Sequence, residues 1–174
     1  MLSDKGALIT AITELPDGSL ISILDVEQIL ANAFGDAIVG NVERVESEHD
    51  LCIFFADDSM VARRKIAEVL DKMGVKHIQA TNGDEAWERL KAMADTAQST
   101  GANLHDQIQV ILTDAEMPEM DGYVLTQYIK SDRRFDGIPV VMHSSLSSDA
   151  NRAMGRRVGV DHYVPKFDSM VLSS

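Results

Sequence analysis

From Leu51 onward, short apolar runs alternate with segments of helical periodicity. The runs are LCIFFA (51–56), VKHIQAT (75–81), IQVILT (108–113), IPVVMH (138–143) and VDHYV (160–164). Strands that are apolar along nearly their whole length are typical of parallel sheets that helices cover on both faces. The alternation therefore predicts an α/β fold built on a doubly wound, five-stranded parallel sheet.

The segments between the runs carry apolar residues at a spacing of three or four, which predicts four helices. Their apolar positions are Ala62, Ile66, Val69, Leu70 and Met73; Ala86, Trp87, Leu90, Met93 and Ala94; Val124, Leu125, Tyr128 and Ile129; and Ala150, Ala153, Met154 and Val158. Residues 94–107 are longer and more polar than an ordinary helix-to-strand connection. They predict either a longer second helix or an inserted loop, and we interpret them as a surface excursion.

Residues 1–34 follow a different pattern. Two strand-like runs, ALITAITEL and SLISILDV, flank the turn residues PDG at 16–18 and predict a β-hairpin. VEQILANAF (26–34) predicts a short helix, and the acidic, weakly periodic residues 35–50 predict a linker. The main domain then comprises residues 51–174.

Composition narrows the range of functions. The formal charge of −12 and the pI near 4.7 leave no basic surface for nucleic acid or for an anionic membrane. No apolar run approaches the roughly 18 residues that span a bilayer, and no signal-like segment opens the chain. We therefore expect a cytoplasmic protein without membrane insertion, and Cys52, the only cysteine, is expected to pack as a small apolar residue.

Acidic residues follow two of the predicted strands. Asp57 and Asp58 come directly after the first, and Asp114 ends the third. In the strand order 2-1-3-4-5 these two strand ends are neighbours at the edge where α/β sheets bind ligands. Three carboxylates this close would repel one another, so the arrangement predicts a divalent cation, and Mg²⁺ suits oxygen ligands with open positions.

Two further residues complete a site for phosphoryl transfer onto an aspartate. Ser144 ends the fourth strand and could hydrogen-bond a phosphoryl oxygen, while Lys166 follows the fifth and could neutralise it. Glu116 is either a solvated side chain or a residue at the rim whose backbone carbonyl binds the metal. Simpler roles stay open for others: Asp58 or Ser59 could cap the first helix. The five histidines have no metal-ligand spacing and are assigned to no site.

The motifs FFADDS, ILTDAEMPEMDG, VVMHSS and HYVPKF, in this order, resemble those of a response-regulator receiver domain, which has a flavodoxin-like fold. The resemblance implies that Asp57 and Asp58 are the acidic pair and that Asp114 is the phosphoacceptor. It also implies that Ser144 is the switch hydroxyl, that Lys166 is the partner lysine and that Tyr163 is the switch aromatic. Receivers usually carry Lys-Pro after the fifth strand, whereas Pro165 precedes Lys166 here.

The stretch ITAITELPDGSLISILDVEQIL is similar to the last hairpin and helix of a CheW-like coupling domain. Residues 1–34 would be the end of such a domain, and the order of the two modules resembles CheV-type chemotaxis coupling proteins. This resemblance implies phosphorylation-controlled signalling in two-component chemotaxis, with a chemotaxis-type histidine kinase and a chemoreceptor array as partners. The protein would catalyse only its own phosphorylation and dephosphorylation.

Two alternatives to that function remain. One is a degenerate receiver that acts as a scaffold and docks a kinase or receptor independently of phosphate. The other, a free-standing Mg²⁺ phosphohydrolase, is disfavoured because no separate acid/base residue or substrate cap is evident. We also expect the last helix to be truncated, since FDSMVLSS supplies at most eight residues. The apolar surface it leaves would be covered either by the N-terminal hairpin or by a second copy of the chain, and the second alternative would give a homo-oligomer.

Overall fold

The computed structural model describes residues 9–14, 20–24, 50–144 and 148–165. Near the N-terminus, β1 (Ile9–Glu14) pairs in antiparallel fashion with β2 (Leu20–Leu24), with a register irregularity between Ile9 and Ala11. The two strands of the predicted hairpin are therefore present. The PDG turn between them lies outside the described residues.

The main domain is a five-stranded parallel sheet. Its strands are β3 (Cys52–Ala56), β4 (Lys76–Ala80), β5 (Val110–Asp114), β6 (Val140–Ser144) and β7 (His162–Pro165). They lie in the order β4-β3-β5-β6-β7. This is the 2-1-3-4-5 order of a doubly wound sheet, so the predicted fold class is confirmed.

Helices connect the strands and cover both faces of the sheet. They are α1 (Met60–Met73), α2 (Gly83–Thr100), α3 (Leu104–Gln107), α4 (Gly122–Ser131) and α5 (Asp149–Val158), with a 3-10 turn at Arg133–Phe135. Helix α1 ends at Gly74, which adopts the left-handed conformation that closes a helix (φ 73°).

Alternate residues of the central strand β3 pack into two separate cores. Phe54 belongs to a cluster with Leu90 of α2 and Ile129 of α4. Phe55 points to the other face, where it packs in a cluster with Leu70 of α1. Burying each such side chain contributes about 1.5–3 kcal/mol. Both faces of β3 are buried, which explains why the sequence of this strand shows no polar alternation.

The polar segment after the second predicted helix is only in part the surface excursion we expected. Helix α2 continues to Thr100, and the short helix α3 follows. Ala94, Ala97 and Leu104 are buried against the core. The helix continues because its apolar face still packs on the core at Ala94 and Ala97, while its polar residues face solvent.

The buried face of α5 differs from the prediction. Gly155 and Val158 are its buried residues, whereas Met154 is 47% exposed. A Cβ atom at position 155 would lie 3.1 Å from Cδ2 of Tyr163. At Gly155 the helix packs directly against the Tyr163 ring, which occupies the space that a side chain would need.

Several predictions fall on residues outside the described ranges. They concern the helix at 26–34, the linker 35–50 apart from Asp50, Lys166, and the truncated helix at 167–174. Within the described ranges, none of the helices combines the length and the hydrophobicity needed to cross a bilayer.

Candidate functional site

Three carboxylates converge at the carboxyl end of the sheet. Strands β3 and β5 are neighbours, with Ala56 opposite Thr113, so the residues that follow each strand meet at the same edge. One carboxylate oxygen from each of Asp57, Asp58 and Asp114 lies within 4.8 Å of the others. Asp57 and Asp114 are buried, and Asp58 is exposed. The pocket therefore has two fixed carboxylates beneath one that is open to solvent.

The turn after β3 is held by hydrogen bonds to Asp57. The backbone N–H of Ser59 donates to Oδ1 of Asp57 at 2.8 Å, and the guanidinium of Arg63 donates to the Asp57 carbonyl, also at 2.8 Å. The side chain of Ser59 accepts from the N–H of Ala62 and caps α1. Ser59 thus fills the capping role that the sequence left open between Asp58 and Ser59.

The loop after β5 folds back onto Asp114 and Ala115. The N–H of Glu116 donates to Oδ1 of Asp114 at 3.3 Å, and the N–H of Gly122 donates to the Ala115 carbonyl at 3.0 Å. A Cβ atom at position 122 would lie 2.1 Å from the Asp114 carbonyl oxygen. Only glycine allows α4 to begin this close to Asp114, so Gly122 is part of what shapes the site.

Ser144 and Glu116 both lie at this edge of the sheet. Strand β6 pairs with β5 so that His143 stands opposite Asp114, and Ser144 follows one residue later, fully buried. Glu116 is exposed, two residues beyond Asp114. That its backbone carbonyl binds a metal stays a prediction, and Lys166 lies outside the described residues.

Tyr163 lies on β7, half-buried, beside α5. Its ring packs over Gly155, and the guanidinium carbon of Arg152 lies 5.8 Å from the ring centroid. Burial raises the pKa of the neighbouring Tyr123 phenol, and a hydrogen bond with Tyr163 raises that pKa further. Tyr163 thus interacts with residues of both α4 and α5. These contacts are compatible with a switch role, which stays a prediction.

One residue at the site was missed by the sequence reasoning. His143 is fully buried at the end of β6, and its Nε2 lies 3.5 Å from Oδ2 of Asp57. The signal in the sequence was a histidine that closes the otherwise apolar run IPVVMH directly before Ser144. The spacing of the histidines does not reveal the contact between His143 and Asp57, because β3 and β6 are far apart in the chain.

Comparison with known proteins finds relatives over most of the chain. A sequence model described as the response regulator receiver domain matches residues 53–171. Chemotaxis protein CheV1 of Helicobacter pylori is 31% identical over 154 residues, which cover 86% of this chain and 46% of that protein. Chemotaxis protein CheY1 of the same organism is 35% identical over 115 residues, which cover 66% of this chain and 83% of CheY1.

Solved structures show the same fold. The receiver domain of the histidine kinase CKI1 from Arabidopsis thaliana, in complex with Mg²⁺ and BeF₃⁻, superimposes with a TM-score of 0.61 at 25% identity. The match covers 67% of this chain and 80% of that one. The chain spans about half the length of the CheV relatives that it matches, namely 46% of CheV1 and 51% of CheV2.

Proposed function

The chain belongs to the response regulator receiver family, and on that premise we propose that it accepts a phosphoryl group on Asp114 from a histidine kinase and thereby controls chemotaxis signalling. The observation that carries the proposal is the convergence of Asp57, Asp58 and Asp114 at one edge of the sheet. Receivers are signalling domains, and the only chemistry we assign to this one is its own phosphorylation and dephosphorylation.

The donor set fits Mg²⁺. Three carboxylates supply oxygen atoms within 4.8 Å of one another, and Asp58 is exposed to solvent, which suits an ion that keeps several waters and binds few carboxylates. Asp57, Asp58, Asp114 and the backbone carbonyl of Glu116 would hold the ion. When bound, Mg²⁺ would neutralise negative charge on the phosphoryl oxygens and on the carboxylates around them.

Each side chain then has a defined role. A carboxylate oxygen of Asp114 attacks phosphorus, and the bond from phosphorus to the donor's imidazole nitrogen breaks. The Ser144 hydroxyl donates a hydrogen bond to a phosphoryl oxygen, and the Lys166 ammonium balances its charge. Tyr163 responds to the new position of Ser144 and carries the change to the surface of α5.

We extend the proposal to the whole layout. Residues 1–34 are the end of a CheW-like coupling domain, residues 35–50 are a linker and residues 51–174 are the receiver. Similarity to CheV1 over 86% of the chain supports this division. The partners are a chemotaxis-type histidine kinase and the chemoreceptor array, and phosphorylation of Asp114 changes how strongly the two are coupled.

Intact-mass measurement after incubation with acetyl phosphate and Mg²⁺ tests the proposal. We expect the mass of one phosphoryl group to be added, and Asp114→Asn or a chelator to prevent the addition. Asp132→Asn, which removes a carboxylate elsewhere on the surface, is the matched control and should leave phosphorylation intact. A shift that survives Asp114→Asn would contradict the assignment, and no shift in the wild type would favour a phosphorylation-independent scaffold.

A further inference from the structure

We infer that His143 is a positioning residue that holds Asp57 in the orientation required for binding Mg²⁺, an inference that rests on the proposed function. Nε2 of His143 lies 3.5 Å from Oδ2 of Asp57. Both side chains are completely buried. The contact joins the end of β6 to the end of β3 behind the three-carboxylate pocket.

The contact fixes the plane of the Asp57 carboxylate. Oδ1 accepts a hydrogen bond from the Ser59 N–H at 2.8 Å, and Oδ2 faces the imidazole of His143. A carboxylate that is held at one oxygen can still turn about its terminal torsion, which is a soft coordinate. A second contact at the other oxygen removes that freedom, so the carboxylate meets the metal already oriented.

His143 itself is anchored by the backbone on both sides. Strand β6 places it opposite Asp114 on β5 and opposite Val164 on β7. Its carbonyl accepts the N–H of Ala115, the residue after the phosphoacceptor, at 3.0 Å. His143 thus contacts Asp57 through its side chain and the loop after Asp114 through its backbone. The same residue therefore helps to position both sides of the pocket.

The imidazole acts behind the metal ligands and is not one of them. Among the described residues, the group whose ligand atoms all lie within 4.8 Å consists of Asp57, Asp58 and Asp114. Residues that orient a metal ligand commonly change metal affinity by about 10–100-fold when they are replaced. A buried imidazole is also costly unless it meets a polar group, and Oδ2 of Asp57, 3.5 Å from Nε2, is one such group.

The chain offers a matched control. His77 also contacts a carboxylate, with Nε2 2.8 Å from Oδ1 of Asp71. That pair lies at the outer strand β4, and the Asp71 side chain is 70% exposed. The two histidines have similar partners, but only His143 touches a residue of the pocket.

Calorimetric titration of Mg²⁺ into the protein tests the inference without any phosphorylation step. His143→Met and His143→Gln have nearly equal side-chain length, but only glutamine keeps an N–H donor. We expect His143→Met to raise the Kd for Mg²⁺ by about tenfold and His143→Gln to recover most of that loss. His77→Met should leave the Kd unchanged. Melting without Mg²⁺ establishes that each variant folds, and His143→Leu replaces His143→Met if that variant does not.

A double-mutant cycle with Asp57→Asn separates this inference from the function on which it rests. If His143 acts through Asp57, His143→Met adds no further loss of affinity in the Asp57→Asn background. An added loss there, equal losses in His143→Met and His143→Gln, or no loss in His143→Met would each overturn the inference. An Asp57→Asn protein that binds Mg²⁺ as tightly as the wild type would instead overturn the proposed metal site.

Discussion

Carboxylates gather at two places in this molecule and are held there differently. At the pocket, the short side chains of Asp57, Asp58 and Asp114 face one another at the ends of two strands. At the C-terminal end of α4, a single guanidinium, that of Arg134, binds both Asp132 and Asp95. Its Nε donates to Oδ1 of Asp132 at 3.0 Å and its Nη2 donates to Oδ2 at 2.7 Å, a bidentate geometry. We call the second group the Arg134 network.

The comparison shows which part of the chain determines each group. The Arg134 network depends on one long side chain, that of Arg134, and the Asp95 side chain is 70% exposed. The pocket is built by backbone placement, because short side chains meet only where their strands already lie side by side. At the pocket, the strand order brings three aspartates together. In the Arg134 network, aspartates lie close together because a guanidinium neutralises them.

The largest effect is expected from disturbing the backbone of the pocket. In Gly122→Ala the new Cβ would lie 2.1 Å from the Asp114 carbonyl oxygen, so α4 or the end of β5 must move. We expect a loss of about 3 kcal/mol in the free energy of unfolding, measured by urea denaturation. Gly101→Ala is the control: it has a left-handed φ of 72° but open space around it, and should lose about 1 kcal/mol. Equal losses would show that close approach at Gly122 is unimportant.

Removing one charge from each group should change stability with opposite sign. Asp57→Asn keeps an acceptor for the Ser59 N–H while it relieves repulsion among three carboxylates, so we expect the Mg²⁺-free protein to gain about 1 kcal/mol. Asp132→Asn weakens the pairing with Arg134, and we expect a loss of about 1 kcal/mol. Urea denaturation of both variants without Mg²⁺ measures the difference. Changes of the same sign would mean that the pocket is not under electrostatic stress.

The pH dependence of the Asp132→Asn effect identifies its origin. The hydrogen bond from Arg134 lowers the pKa of Asp132, and burial opposes this in part. A carboxyl whose pKa is lowered by folding contributes stability above its unfolded pKa of about 3.9 and loses that contribution as pH falls through the lower, folded value. The difference between wild type and Asp132→Asn should therefore be constant above about pH 5 and shrink as pH falls below 3.9. A difference that stays constant down to pH 3 would point to packing instead of charge.

Much of this comparison could be predicted from the sequence, and the remainder could not for identifiable reasons. The sheet followed from apolar runs, and the meeting of Asp57 with Asp114 followed from the rule that ligands bind at the carboxyl ends of parallel strands. Asp121 caps α4 by accepting a hydrogen bond from the N–H of Val124, the role that an aspartate directly before a helix commonly has. Each of these depends on local pattern or on topology alone.

What the sequence did not reveal depends on contacts between distant segments. His143 reaches Asp57 across the sheet, and no spacing along the chain encodes a pair 86 residues apart, the difference between 143 and 57. The buried face of α5 was mispredicted because Tyr163, on another element, packs against Gly155. Helical periodicity predicts which apolar residues share one face of the helix. The element that packs against the helix determines which of them are buried.

The smallest effect concerns the loops beside the two groups, and it tests whether the pocket carries backbone strain that the Arg134 network avoids. Glu119, in the loop after Asp114, has a left-handed φ of 69°, whereas the left-handed position after the 3-10 turn of the network is Gly137, with a φ of 85°. A residue with a Cβ atom pays a penalty in this conformation, and glycine does not, although glycine loses more backbone freedom on folding. The two terms nearly offset each other, so Glu119→Gly should gain only about 0.5 kcal/mol in unfolding free energy.

Glu119→Ala is the control for this prediction. It keeps the Cβ and should gain nothing, which separates backbone strain from the loss of one negative charge. Matching gains in the two variants would assign the effect to charge, and a loss in Glu119→Gly would show that the loop is already relaxed around Glu119.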